Sequence, residues 1–332
     1  MNIKEVLNEA RNGDERRALP VLSFPAVQKM GITVEEMVKS ASLQSDAMAL
    51  IARETPTLAA VSPMDLSVEA EAFGAHVRFS RDEVPAIIGQ LVEDMDEVEA
   101  LRIPAPDEKR CGLYAEAVRL AKEKISDKPV LAGMIGPFSL AGRLMDVSEI
   151  MCICLEEPET AEALLEKVTS FLIDYGKKLR EAGADGIVLA EPLAGIISPK
   201  MMQEFSKPYV IRLIEALQDE DFGIVYHNCG NAVPHMLKDI FDQGALAYHF
   251  GNAVDMAEVL AAAPADAICL GNVDPAGEFA NGTPDSIKAA TKALLEKCGN
   301  DKRFIISSGC DIPGQSKWEN IEAFFETVKE YR

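Results

Sequence analysis

Long apolar runs are missing from this 332-residue chain. No stretch approaches the roughly 20 consecutive apolar residues that a membrane-spanning helix needs. Positive charge is scarce: 33 Lys and Arg face 54 Asp and Glu, a net charge of −21. A surface so acidic repels nucleic acid and anionic membrane, so neither is an expected partner. The seven cysteines are odd in number and scattered over the chain. They form no disulfide framework, and a reducing cytoplasm is the expected compartment. The first residues, Met1-Asn2-Ile3-Lys4-Glu5-Val6, read as the start of a polar amphipathic helix without the apolar core of a secretion signal. Also missing are a G-x-G-x-x-G fingerprint after a strand, a G-x-S-x-G elbow, and the H-x-E with P-C-x-x-C pattern of zinc deaminases. There is no internal repeat, low-complexity tract or linker. The oligomeric state stays open, a homo-oligomer included.

What is present is a regular alternation. With 48% hydrophobic residues the chain can bury a sizeable core. Short β-branched runs end in polar turns: Val130-Leu131-Ala132-Gly133, Gly186-Ile187-Val188-Leu189-Ala190, Gly223-Ile224-Val225-Tyr226, Ala245-Leu246-Ala247-Tyr248-His249, Ala267-Ile268-Cys269-Leu270 and Arg303-Phe304-Ile305-Ile306-Ser307. Thr57-Leu58-Ala59-Ala60-Val61 and Ala75-His76-Val77-Arg78-Phe79 bring the count to eight. Continuous apolar strands are buried on both faces, as in a parallel sheet. Helical segments over 158–182, 199–219, 231–242, 254–263 and 284–298 separate most of them. The pattern predicts an α/β protein: one (β/α)8 TIM barrel domain over 1–332, with residues 1–50 a mainly helical N-terminal extension. A doubly wound open sheet is the alternative.

Polar residues gather where strands end, the face on which barrels carry chemistry. His227-Asn228-Cys229-Gly230 ends one strand and Ser308-Gly309-Cys310-Asp311 ends another. Positions two apart on a strand point the same way, so His227 and Cys229 can share the barrel mouth with Cys310. His, Cys and Cys are three soft ligands for one zinc ion, with a fourth position open, as in catalytic sites. Buried free cysteines and a satisfied core histidine are the plainer reading of each residue alone. Two thiolates and a neutral imidazole bring Zn²⁺ close to zero net charge, which disfavours activation of water. The same donors keep an incoming thiol ionised and nucleophilic, whereas a free thiol is only a few per cent ionised at pH 7. The chemistry favoured is attack of a thiolate on an alkyl donor, with His227, Cys229 and Cys310 as both metal ligands and catalytic residues.

Asn228, His249, Asn272, Asp274 and Glu191 are candidate substrate contacts. Glu191 precedes a proline at a strand end and reads equally as a helix N-terminal acid. Asp274, in Asn272-Val273-Asp274-Pro275, reads as a turn residue. Cys269, His249 and His235 are candidates for a fourth ligand, Cys269 the weakest because it lies inside its strand. Cys152 and Cys154 read as core, Cys111 and Cys298 as incidental. Trp318 and the Phe324-Phe325 pair read as packing for the last helix.

Val130 to Ser139 (VLAGMIGPFS), Gly271-Asn272-Val273-Asp274-Pro275 and the glycine-rich end of the last strand resemble the uroporphyrinogen decarboxylase superfamily over roughly residues 15–330. Within it, His227-x-Cys229 with Cys310 resembles the zinc-dependent methylcobamide:coenzyme M methyltransferase branch. That resemblance implies a (β/α)8 barrel, Zn²⁺ as cofactor, and methyl transfer from a methyl-corrinoid on a partner corrinoid protein to a small-molecule thiol such as coenzyme M. The decarboxylases carry an arginine-rich segment for the porphyrin carboxylates. Here Pro20 to Gly31 (PVLSFPAVQKMG) has no arginine, and Arg16 and Arg17 just before it read as solvated. The branch often places an acid after the strand ending near residue 249. This chain reads Tyr248-His249-Phe250-Gly251-Asn252 there, which leaves the resting fourth ligand and the identity of the thiol open. Rival readings are a corrinoid-dependent demethylase of an O- or N-methyl substrate, a uroporphyrinogen decarboxylase, and a non-catalytic zinc- or corrinoid-binding barrel.

Overall fold

The structure, a computed structural model, describes residues 1–331. Its strands in chain order are β1 (Ala60–Val61), β2 (His76–Arg78), β3 (Ala86–Ile88), β4 (Val130–Ile135), β5 (Gly186–Ala190), β6 (Gly223–Asn228), β7 (Ala247–Phe250), β8 (Cys269–Val273) and β9 (Phe304–Ser308). Seven of them form one sheet in the order β1-β4-β5-β6-β7-β8-β9, and every pairing in it is parallel. Helices return the chain between strands, the longest being Pro158–Glu181.

The eighth stave comes from the N-terminal segment. The Leu19 N–H donates to the Ile306 carbonyl at 3.1 Å, and the Leu58 N–H donates to the Ala18 carbonyl at 3.0 Å. Residues 18–22 thus lie between β9 and the strand at 58–61 and close a (β/α)8 barrel. Pro20 sits in this stave and offers no N–H, so the ladder there is thin. The Val21 N–H goes instead to the Ser308 hydroxyl at 3.1 Å. This corrects two expectations. The stretch 75–79 is not a barrel strand: β2 pairs antiparallel with β3 in a separate two-stranded sheet. Its alternating, partly exposed residues suit a hairpin on the surface, not a stave buried on both faces. The helical stretch before residue 54 is also interrupted by a piece of the barrel itself.

Two apolar layers follow from the strand period of two. Outward-facing Ala132, Ile187, Leu189, Ile224, Tyr226, Tyr248 and Phe250 join the helices in the larger core. Inward-facing Leu131, Val188, Val225, Ala247, Leu270 and Ile305 fill the barrel with Leu19 and Val21. The helix Ile3–Asn12 plugs the end at which the strands begin, burying Ile3 and Leu7 completely. Each of those side chains contributes about 1.5–3 kcal/mol of burial. The inward row that carries Val225, Ala247 and Ile305 continues at the opposite end with His227, His249 and Ser307. Sequence period alone therefore brings three polar side chains to the mouth.

The C-terminal helix Trp318–Glu330 packs Phe324 against Phe279 with ring centroids 5.2 Å apart, and Phe325 is buried beside it. Cys111, Cys154, Cys269 and Cys298 are buried. Cys152 is exposed on the helix Val147–Glu156, against the expectation that both members of the Cys152/Cys154 pair belong to the core. Two residues apart on a helix is about 200° of rotation, so the pair cannot share a buried face. No helix among the described residues is long and apolar enough to cross a membrane.

Candidate metal centre

His227 is the penultimate residue of β6, and Cys229 follows one residue past its end. Cys310 lies two residues past β9. One ligand atom from each of His227, Cys229 and Cys310 lies within 4.8 Å of the other two. The loops reach this geometry through close backbone approach. A Cβ on Gly230 would meet the Gly195 carbonyl oxygen at 2.2 Å, so the residue after Cys229 must be glycine for the turn to seat. Asn228, fully buried, braces the same turn: its Oδ1 accepts the Gly230 N–H at 3.0 Å and its amide donates to the Tyr226 hydroxyl at 3.1 Å.

A hydrogen-bond chain fixes which nitrogen of His227 faces the cysteines. The Leu19 carbonyl can only accept, so the Ser307 hydroxyl donates to it, at 2.6 Å. The Ser307 oxygen therefore accepts from His249 Nε2–H at 2.8 Å. His249 is 2% exposed, and burial together with the neighbouring His227 holds its pKa well below the ordinary histidine range. A neutral His249 protonated on Nε2 has a bare Nδ1, which accepts from His227 Nδ1–H at 2.7 Å. His227 Nε2 is left with its lone pair directed at Cys310 Sγ, 3.5 Å away. Metal-bound histidines are ordinarily held this way by a partner on the other ring nitrogen.

The two thiols are coupled. Hydrogen bonding from Cys229 pulls the Cys310 pKa down, against its burial, and the same contact pushes Cys229 up. Cys310 is thus the better thiolate even before a cation arrives. With both sulfurs ionised, they and the His227 lone pair would converge on a positive charge placed among them. The donor set of one imidazole and two sulfurs fits Zn²⁺ or another soft divalent ion. Asp311 follows Cys310 with one carboxylate oxygen buried and unpartnered among the described residues, and burial raises its pKa well above the usual range.

The other candidate contacts serve the scaffold. Glu191 is fully buried, and its two oxygens take the Phe138 N–H at 3.0 Å and the Ser139 N–H at 2.6 Å at the start of the helix Pro137–Met145. It acts as the N-terminal acid of that helix. Burial pushes its pKa up to about 7, opposed by these bonds. A Cβ on Gly136 would meet Glu191 Oε2 at 2.4 Å, which explains the glycine before Pro137. The Asn272 amide donates to the Gly251 carbonyl at 2.9 Å and the Val254 carbonyl at 2.6 Å, tying two strand-end loops together. Asp274 accepts the Ala276 and Gly277 N–H groups, both at 2.9 Å, as a turn residue does. Of the alternative fourth ligands, His249 bonds the back of His227, Cys269 is packed outward, and His235 is exposed. Ser307 and the Leu19 carbonyl escaped the sequence reading. Ser307 could have been found by parity, two residues beyond Ile305, whereas nothing local marks Leu19.

A cavity of about 290 Å³ opens beside the centre, lined by Ile135, Ser139, Arg143, Val147, Ile196 and Cys229 among others. Its walls are mostly apolar, and its charged member is Arg143.

Comparison with known proteins gives the family. The uroporphyrinogen decarboxylase (URO-D) family profile matches residues 16–331. A methylcobamide:CoM methyltransferase of Methanosarcina acetivorans is 30% identical over 95% of this chain and 96% of its own length. A uroporphyrinogen decarboxylase of Christiangramia forsetii is 29% identical over 73% of this chain and 71% of its own. Among solved structures, a methyltransferase from Methanosarcina mazei superposes with a TM-score of 0.87 at 25% identity, covering 99% of both chains. The chain belongs to the uroporphyrinogen decarboxylase family, in its methylcobamide:coenzyme M methyltransferase branch.

Proposed function

We propose that this protein is a methyltransferase that moves a methyl group from a methyl-corrinoid, carried on a partner corrinoid protein, to the sulfur of a small thiol. The observation that carries the reading is the convergence of His227, Cys229 and Cys310 within 4.8 Å at the mouth of the barrel. These three would hold Zn²⁺. When bound, the ion supplies the positive charge that keeps an incoming thiol ionised near neutral pH. Cys229 and Cys310 contribute negative charge, so the incoming sulfur stays electron-rich and nucleophilic. The chain from His227 through His249 and Ser307 to Leu19 keeps the imidazole lone pair turned toward the cysteines.

The thiol loses its proton to solvent before transfer. Its sulfur then attacks the methyl carbon of the methyl-corrinoid in line with the cobalt. The S–C bond forms, the Co–C bond breaks, and the electron pair stays on cobalt, which passes from Co(III) to Co(I). No proton is delivered to the leaving group, so the step requires no general acid. The thiolates need a reducing compartment, and a cytoplasmic location is part of the same proposal. Porphyrinogen decarboxylation is the weaker reading. The stave at 18–22 and the helix Ala26–Met30 carry no arginine for a many-carboxylate substrate, and the cavity beside Cys229 suits a small molecule.

Elemental analysis should give about one zinc per chain. Methyl transfer from free methylcobalamin to a thiol should be measurable with the purified protein. The Cys310→Ser variant should lose both metal and transfer while keeping its far-UV circular dichroism. Full transfer by the metal-free protein would refute the proposal. Corrinoid methylation by an O- or N-methyl compound, with no transfer to any thiol, would favour the demethylase.

A further inference from the structure

We infer that a cleft at the opposite end of the barrel from the metal centre binds the phosphate group of a small molecule, with Arg16 and Arg17 as its principal donors. The inference is independent of the methyl-transfer reading. The cleft has a volume of about 450 Å³, and Arg16, Arg17, Lys128 and Lys329 line it, with Phe325 and Val328 on its apolar side. Arg16 and Arg17 lead into the stave at 18–22, and Lys128 lies two residues before β4. These are strand starts, whereas His227, Cys229 and Cys310 lie at strand ends. Lys329 comes from the last turn of the helix Trp318–Glu330. Arg16 and Arg17 read as solvated in the sequence, but in the fold Arg16 is partly buried and both line one cleft.

The charge of this cleft opposes that of the protein. The chain carries a net −21, yet these four cations gather here, and Glu15 is the acid among the lining residues. Arg16, Arg17 and Lys329, all lining the cleft, make no ion pair and no side-chain hydrogen bond among the described residues. Lys128 is held in place: its ammonium donates to the Ala52 carbonyl and, at 3.0 Å, to the Thr55 carbonyl. An ammonium has three N–H donors, so one remains for a ligand. Burial lowers the Lys128 pKa, with the charge of Arg17 adding to the effect and that of neighbouring Asp127 opposing it. Set against Glu15 and Asp127, the four cations still leave the cleft positive. Like charges gathered without partners repel and weaken the compact state, so packing alone gives no reason for them. The donor set suits phosphate. A guanidinium gives two parallel bonds to a phosphate, and an ammonium adds a point charge. A phosphate monoester carries about −1.5 to −2 near pH 7, which several cations together answer. The volume takes a small molecule, and the edges of Phe325 and Val328 offer a flank for an organic part. A nucleic acid would instead meet the net negative charge of the rest of the chain.

The test is calorimetry on the zinc-loaded full chain at fixed ionic strength, with inorganic phosphate, pyrophosphate, phenyl phosphate and phenol as probes. The phosphate-bearing probes should bind and phenol should not. Tighter binding of phenyl phosphate identifies an ester as the ligand, and tighter binding of phosphate or pyrophosphate identifies a free inorganic anion; either result supports the phosphate site. Arg16→Gln and Arg17→Gln should each weaken binding by about 10- to 100-fold. Arg17→Lys, which keeps the charge and loses the fork, should retain part of the affinity. Arg78→Gln, which removes an exposed cation on β2, should change nothing. Zinc content and methyl transfer should be unchanged in Arg17→Gln, because Arg17 does not line the cavity beside the metal centre. If no phosphate-bearing probe binds at millimolar concentration, if phenol binds as tightly as phenyl phosphate, or if the affinity survives Arg16→Gln and Arg17→Gln, the inference falls. Equal weakening in Arg78→Gln would reduce the effect to general charge and overturns it as well. So does a binding signal that disappears when zinc is stripped, which would put the phosphate on the metal.

Discussion

Ser307→Ala removes one hydroxyl and tests whether the imidazole of His227 is held from behind. In the native protein that hydroxyl accepts from His249 and donates to the Leu19 carbonyl. Without it, His249 Nε2–H has no acceptor, and His249 is free to adopt the tautomer with the proton on Nδ1. That proton meets His227 Nδ1, so His227 then presents Nε2–H to the cysteines and loses its donor lone pair. Removing the hydrogen-bond partner behind a metal-ligating histidine costs about 10- to 100-fold in metal affinity, which is about 1.4–2.7 kcal/mol. The variant also leaves the buried Leu19 carbonyl unsatisfied, at about 1–3 kcal/mol of fold stability. Ser308→Ala is the control. Ser308 is equally buried and next in the strand, but its hydroxyl accepts the Val21 N–H and has no link to His227. Both variants should lower the urea midpoint of the metal-free protein. Zinc affinity, measured by competition with a chromophoric chelator, should fall only in Ser307→Ala. Equal zinc affinity in Ser307→Ala and the native protein would refute the relay, and equal weakening in both variants would reduce it to general packing.

Three further outcomes follow from the same structure. Glu69 is 2% exposed, one oxygen accepts the Ile135 N–H at 3.1 Å and the other has no partner, and burial raises its pKa from 4.5 to about 7. The folded state thus holds a proton that the unfolded state releases, so stability is full below about pH 4.5 and declines as pH rises toward 7. The decline is about 3 kcal/mol for this group, and urea unfolding across that range should show it flattened in Glu69→Gln. Gly230→Ala drives a Cβ into the Gly195 carbonyl and should cost about 1–3 kcal/mol by thermal unfolding while lowering bound zinc. Stripping the metal with a chelator should abolish methyl transfer, and stoichiometric zinc should restore it. Magnesium should not, because two sulfurs and an imidazole do not suit a hard cation.

Much of this protein was legible without coordinates. The runs at 186–190 and 223–226 lie in strands because continuous β-branched and apolar residues suit a sheet buried on both faces. The residue types at 227, 229 and 310 suggested soft-metal ligands, the period of two put His227 and Cys229 on one side of their strand, and the structure brings all three within 4.8 Å. Those features are local, and a sequence records local preference directly.

The remainder needed the closed barrel. The stave at 18–22 is interrupted by Pro20 and gains its partners from β9, with Ser307 and Leu19 separated by 288 positions. Strand 76–78 alternates polar and apolar residues, and its partner is 86–88 in a separate sheet, because a half-exposed strand is better paired at the surface than buried on both faces. Glu191 could have served substrate or helix until the fold laid its two oxygens against the amides of residues 138 and 139. His227 and Cys310 come from two strand ends 83 positions apart, and only closure of the barrel decides that they face each other, since it fixes which side chains share the mouth.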